Sequence, residues 1–173
     1  MSEPPEAPPL ADPQAANELL MYRLNRLLAV AGSLVIRLCE GGYGITRREW
    51  GLLMWLAQQP GIPPTALAQR LGLDRARTSR AISSLLAKKL ITRETVPTDK
   101  RQALLAPTPA GQAVYDDLFP QVKALNQALL QDLGSGALHG LDAALSTLQA
   151  RADALVAAHA DLPRTYRLRG GRH

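Results

Sequence analysis

From Leu20 to Leu38 apolar residues recur at helical spacing: Leu20, Leu24, Leu27, Leu28, Ala31, Leu34, Val35 and Leu38. Asp12-Pro13 offers an N-cap acid and a proline at the first helical position, and Glu40-Gly41-Gly42 offers a stop where glycine takes the left-handed cap. The pattern predicts one helix over 13–40, about 40 Å long at 1.5 Å per residue, whose apolar stripe needs a partner. A second helix opens at Thr46-Arg47-Arg48-Glu49, a capping box. It turns Trp50, Leu53, Met54 and Leu56 inward and ends at Pro60-Gly61. "PPTALAQRLGL" predicts a shorter helix with Leu67, Ala68 and Leu71 inward and Gly72 as its stop. "DRARTSRAISSLLAKKL" follows, capped by Asp74. Two short helices joined by a glycine turn, with another before them, make a helix-turn-helix pattern.

The period then changes. Leu90–Val96 and Gln102–Ala106 alternate apolar and polar residues around "TVPTDKRQA", which predicts a hairpin with a charged tip. Thr108-Pro109 opens a further helix to about Asp132, which Pro120 should kink or interrupt. After Gly134-Ser135-Gly136, a last helix over about 137–160 carries Leu138, Leu141, Leu145, Leu148, Ala152 and Leu155 on one stripe. Residues 1–12, proline-rich and acidic, read as a disordered arm. Residues 161–173 hold four arginines without apolar periodicity and read as a disordered basic tail.

Composition agrees with helices: the chain is 46% hydrophobic but only 4% aromatic. Its single cysteine, Cys39, excludes a disulfide within the chain, fits a reducing compartment and reads as a buried structural thiol. The N-terminus has neither the basic nor the apolar region of a secretory signal, and no apolar run approaches the roughly 20 residues of a membrane span. The expected location is the bacterial cytoplasm, at the nucleoid. The net charge of +5 divides unevenly, with −2 over 1–45, +7 over 46–111 and zero over 112–173. A basic block between near-neutral helices is the electrostatic footprint of nucleic-acid binding.

On the Asp74–Leu90 helix, Thr78, Ile82 and Leu85 fall within about 60° of one another at 100° per residue. Ala76, Arg77, Arg80, Ser83 and Ser84 point the other way, with Ser79 at the edge, and no acid occurs between Arg75 and Ala87. Two arginines among small side chains suit entry into a major groove about 12 Å wide, where guanidinium forks read guanine O6 and N7. An ordinary solvated face would mix in acids. The charged hairpin tip by itself leaves two readings open: solubility of an exposed hairpin, or contact with a polyanion.

Other function classes lack support in the chain. The histidines are His139, His159 and His173, with no metal-ligand spacing. No nucleophile elbow, phosphate-binding loop or dinucleotide fingerprint occurs, so neither catalysis, a metal nor a cofactor is expected. A sequence-neutral architectural DNA-binding protein is the main alternative; its basic residues would be mostly lysines along one face. A pure dimerisation adaptor would not need the +7 block.

The ordered set of motifs resembles the MarR (multiple antibiotic resistance regulator) family of winged helix-turn-helix transcription factors. The matching residues are Thr46, Glu49 and Trp50; Leu67-Ala68-Gln69-x-Leu71-Gly72; and Asp74-Arg75-x-x-x-Ser79-Arg80 with Leu85. They continue with Leu90-Ile91-x-Arg93, Asp99-Lys100-Arg101 and Thr108-Pro109-x-Gly111. One departure is Lys89, where the family usually has glycine. The resemblance implies a mainly α fold with a small β-hairpin wing: a winged helix-turn-helix lobe over 45–108 and a helical dimerisation region over 13–40 and 109–160. The recognition helix would present Arg75, Ala76, Arg77, Ser79, Arg80, Ser83 and Ser84 to double-stranded DNA. In the wing, Arg101 would enter a minor groove and Lys100 would contact phosphate, while Asp99 would pair with Arg93 or Arg101 and hold the tip's shape.

The resemblance further implies a homodimer on a pseudo-palindromic operator, with recognition helices about 34–36 Å apart. Repression is expected, relieved by a small aromatic carboxylate or phenolic effector. Candidates for the effector cleft are Arg23, Arg26 and Arg37, within about 60° on the first helix, flanked by Tyr22, Tyr43 and Trp50. The same arginines could instead pair with Glu18, Asp116 or Asp117 at the dimer interface.

Overall fold

The computed structural model describes residues 9–96, 99–159 and 161, and of residues 96 and 99–102 the backbone alone. Residues 1–8 of the expected arm over 1–12, the hairpin tip at 97–98, residue 160 and the tail from 162 lie outside the described residues. The chain divides after Leu129 into two compact units.

In the first unit, helix α1 (Leu20–Arg37) starts later than expected. Asp12-Pro13 caps nothing: Ala16–Glu18 form a single 3-10 turn, Leu19 is extended, and the Glu18 carboxylate accepts from the Gln14 and Ala15 N–H groups. Those orphan donors are satisfied locally, so nothing draws the segment into α1. The other end also differs. Leu38–Gly42 form a wider, π-helical turn, and the left-handed glycine is Gly44 (φ 61°) rather than Gly41 or Gly42.

Helix α2 (Arg47–Gln58) has the predicted capping box, in which Thr46 Oγ1 accepts from the Glu49 N–H at 3.2 Å and the Glu49 carboxylate accepts from the Thr46 N–H at 2.6 Å. Helix α3 (Pro64–Arg70) begins on proline, where the missing N–H costs nothing. Gly72, at φ 59°, turns the chain into helix α4 (Arg75–Ala87), capped by Asp74. Strands β1 (Ile91–Val96) and β2 (Asp99–Pro107) pair antiparallel, Ile91 opposite Pro107, with a bulge between Thr95 and Val96. The hairpin's base is fixed to the α2–α3 loop by the Gly61 N–H on the Leu105 carbonyl and the Leu105 N–H on the Ile62 carbonyl.

The core of this lobe is aliphatic. Leu52, Leu53, Leu56, Leu67, Leu85, Leu105 and Leu118 are fully buried, each stabilising by about 1.5–3 kcal/mol relative to exposure. Met54 and Leu71 are only half-buried, while Leu52, which the pattern had not placed, is inside. Helix α5 (Pro109–Leu130) runs without interruption through Pro120, and Trp50, Tyr115 and Phe119 stack in series at 5.9 and 5.2 Å. In the second unit, helix α6 (Ser135–Ala158) has no buried residue.

Candidate nucleic-acid interface

Asp74 fixes the start of α4 with both carboxylate oxygens. One accepts from the Arg77 N–H at 2.7 Å and the other lies 3.1 Å from Arg77 Nε. Thr78, turned inward, donates its hydroxyl to the Asp74 carbonyl at 3.0 Å. Buried Thr78, Ala81, Ile82 and Leu85 leave Arg75, Ala76, Arg77, Ser79, Arg80 and Ser83 exposed. Six of the seven expected residues are therefore exposed. Ser84 is half-buried instead, and its hydroxyl helps keep the Glu49 carboxyl ionised. The outward surface is small and cationic, and Arg77 is partly neutralised by its own cap.

Beside this surface α3, α4 and β1 enclose a cavity of about 210 Å³, lined by Thr65, Arg75, Ser79, Ser83 and Arg93 among others. Arg93, expected to support the wing, thus stands across from Arg75. The side chains of Asp99, Lys100 and Arg101 lie outside the described residues, and so does the expected pairing of Asp99. Thr65 was not singled out in the sequence, because its place beside Arg75 depends on how α3 packs on α4.

The end of α4 is held by a buried charge. Glu49 is 2% exposed. Lys88 Nζ lies 3.0 and 2.9 Å from its two oxygens and 2.8 Å from the Gly44 carbonyl. Burial opposes the charge on Glu49, but the Ser84 hydroxyl, the Thr46 N–H and Lys88 outweigh it and hold the carboxyl below the usual carboxylate range. Immediately after, Lys89 takes φ 58°, the left-handed conformation glycine adopts most readily. Thr108 closes the junction, donating its hydroxyl to the Lys89 carbonyl at 2.8 Å and accepting from the Gly111 N–H at 3.0 Å.

Within one chain the residues expected around an effector are dispersed. Tyr22, Arg23 and Arg26 line a shallow depression on α1, without Arg37. Tyr43 donates to Asp117 and accepts from Gln121, both at 2.6 Å, and the Asp117 bond raises its pKa. Trp50, 4% exposed, belongs to the core. One-helix periodicity grouped the arginines but could not show that α5 takes Tyr43 and Trp50. Nor do the alternative partners serve within the chain: Asp116 receives Gln112, and Glu18 caps its own turn. A separate cavity of about 440 Å³ opens between α1 and α5, walled by Leu28, Leu34, Val35, Val122, Leu125 and Leu129, with Arg47 on its rim. Cys39 is fully buried, and burial, then Glu40, pushes its thiol pKa up, against a smaller opposing effect of Arg47.

The model of the MarR family matches residues 43–102, which hold the capping box, the helix-turn-helix and most of the hairpin. This lobe is similar to those of the MarR family. The chain is 35% identical, over 101 residues, to a Thauera aromatica protein whose name assigns it to transcriptional regulation of the hcr operon. That alignment covers 57% of this chain and 61% of the relative, so the chain spans about three fifths of the relative's length. A MarR-family regulator from Silicibacter pomeroyi is 25% identical, with 79% of this chain and 92% of that one covered and a TM-score of 0.69. A MarR-family regulator from Listeria monocytogenes, in complex with 26mer DNA, shares the fold at TM-score 0.76 and 21% identity, covering 86% and 99%. The mainly helical fold with a two-stranded hairpin is thus the winged helix fold of MarR regulators, and these relatives are named as regulators rather than enzymes. Among the described residues no single helix is long and apolar enough to cross a membrane.

Proposed function

We propose that the chain is a homodimeric, sequence-specific DNA-binding transcriptional regulator. The observation that carries this is the exposed cationic face of α4, six small or arginine side chains with a rigidly capped N-terminus. It would enter a major groove, with Arg77 and Arg80 as base readers and Arg75 and Arg93 at the flanking phosphates. The wing's Arg101 would enter the minor groove, as in the family it resembles, with Lys100 on phosphate. Helices α1, α5 and α6 would build the dimer: Leu24, Leu27, Leu28 and Leu34 on α1 and Leu141, Leu145, Leu148 and Leu155 on α6 are all more than a third exposed.

The deciding experiment is fluorescence anisotropy at near-physiological salt, where non-specific contacts weaken steeply. The wild type should select one duplex from the region upstream of its own gene over a scrambled duplex. Arg80→Ala and Arg101→Ala should each weaken that binding. Equal affinity for both duplexes would mean a sequence-neutral architectural protein instead.

Repression, the family's commoner mode, is the expected sign of regulation, read by a reporter fused to the selected site. The effector is a small aromatic carboxylate, and the α1–α5 cavity suits it better than the dispersed Tyr22–Arg37 set. Leucine and valine walls accept a ring, and Arg47 offers a fork to the carboxylate. Benzoate-like acids should raise the melting temperature and release DNA, and Arg47→Ala should abolish both effects; no shift with any acid of the panel would sink this part.

A further inference from the structure

We infer that Lys88 and Glu49 are positioning residues for DNA reading: they set the angle of the recognition helix and do not touch DNA themselves. The inference rests on the DNA-binding reading above. An ammonium has three donor hydrogens, and Lys88 Nζ has three acceptors within 3.0 Å: both Glu49 oxygens and the Gly44 carbonyl. A phosphate could recruit Lys88 only by leaving a buried carboxylate unpaired, which is strongly unfavourable. So this lysine of the basic block is not available to the polyanion.

Its acceptors also come from a particular place. Gly44 and Glu49 flank the turn into α2. Neighbouring Tyr43 bonds Asp117 and Gln121 on α5, and the Ile45 N–H bonds the Cys39 carbonyl at the end of α1. The last turn of α4 is thereby tied, through one side chain, to the segment where α1, α2 and α5 meet. Ser84, also on α4, helps keep the same carboxyl ionised. Asp74 fixes the other end of α4 only to its own first turn, so Lys88, with Glu49 and Gly44 as its acceptors, supplies a polar anchor of the helix to the rest of the lobe.

Glu49→Gln separates this role from an electrostatic one by sign. It removes one negative charge near the end of α4, so electrostatics alone makes binding tighter on every duplex. Loss of positioning instead lowers affinity for the selected duplex alone. The test uses the full-length protein and a duplex selected by the wild type from a randomised pool. Affinities for it and for a scrambled duplex are measured for Glu49→Gln, Lys88→Met and Lys88→Arg, well below each melting temperature. The ratio of the two affinities should fall about tenfold in Glu49→Gln and Lys88→Met, the size of one lost base contact, and recover in Lys88→Arg. A merely smaller folded fraction would lower both affinities together and leave the ratio unchanged.

Hydrogen exchange of the free proteins supplies a readout independent of DNA. Amides at the end of α4 should exchange faster in Glu49→Gln and Lys88→Met, while those of α6 should not change. Unchanged exchange at α4, or faster exchange with an unchanged affinity ratio, overturns the inference. A wild type that selects no duplex overturns the DNA-binding reading and the positioning role built on it; faster α4 exchange would then leave the cluster as a purely structural clamp.

Discussion

Two residues at the junction of α4, β1 and α5 show what single positions cost. Lys89 holds φ 58° without glycine's freedom, a conformation that costs an L-residue about 1–2 kcal/mol, part of which glycine would lose again to unfolded-chain entropy. Lys89→Gly should therefore raise stability by about 0.5–1 kcal/mol in urea titration, whereas Lys89→Ala, which keeps a Cβ, should not. Gly111 is the opposite case. A Cβ there would lie 1.9 Å from the Leu90 carbonyl oxygen, and that oxygen accepts the Thr108 N–H at 3.0 Å, so the backbone cannot yield without losing the bond. Gly111→Ala should cost about 3 kcal/mol, at the upper end of overpacking penalties, seen as a lower denaturant midpoint. The sequence showed Gly111 as part of a motif and Lys89 as a departure from one. The physical reasons, a close backbone approach and a left-handed turn, needed the fold.

Elements whose signals are local were legible. The Thr46–Glu49 box and the Asp74 cap each act across three residues, and both form as expected. The buried face of α4 followed from helical period alone, apart from Ser84, which the period turns outward and the fold leaves half-buried. The start of α1 was misread because Asp12-Pro13 is a sound cap that nothing downstream uses; Glu18 satisfies the nearby donors in a turn. The Asp74 cap also bears on DNA affinity, because its second oxygen holds Arg77. Asp74→Ser should keep the helix cap, changing stability by only a few tenths of a kcal/mol, while releasing Arg77 and removing a negative charge. The plot of log affinity against log salt on a scrambled duplex should steepen by about one unit. An unchanged slope would mean that Arg77 stays clear of phosphate even when free.

At the scale of the molecule, what escaped the sequence were pairings between distant residues. Lys88 meets Glu49 across 39 positions and Tyr43 meets Asp117 across 74, and no spacing rule announces either. The residues expected around an effector disperse within the chain for the same reason: periodicity along α1 could not show that Tyr43 and Trp50 would be engaged by α5 or the core. The apolar stripes were legible, and they point beyond one chain. Leucines along α1 and α6 stay solvent-exposed, Leu27 at 52% and Leu145 at 46%, larger and more regular than the scattered apolar residues of a monomer's surface. If two chains cover these stripes, folding and association are one equilibrium, and stability depends on concentration. The wild type should sediment at twice the chain mass, and its melting temperature should rise with protein concentration. Leu27→Glu and Leu145→Glu should each shift it toward a less stable monomer. That monomer should also bind the selected duplex more weakly, since one recognition helix reaches one half-site where two would reach both. A wild type that sediments as a monomer, with a melting temperature independent of concentration, would refute the dimer and require these stripes to be covered in some other way.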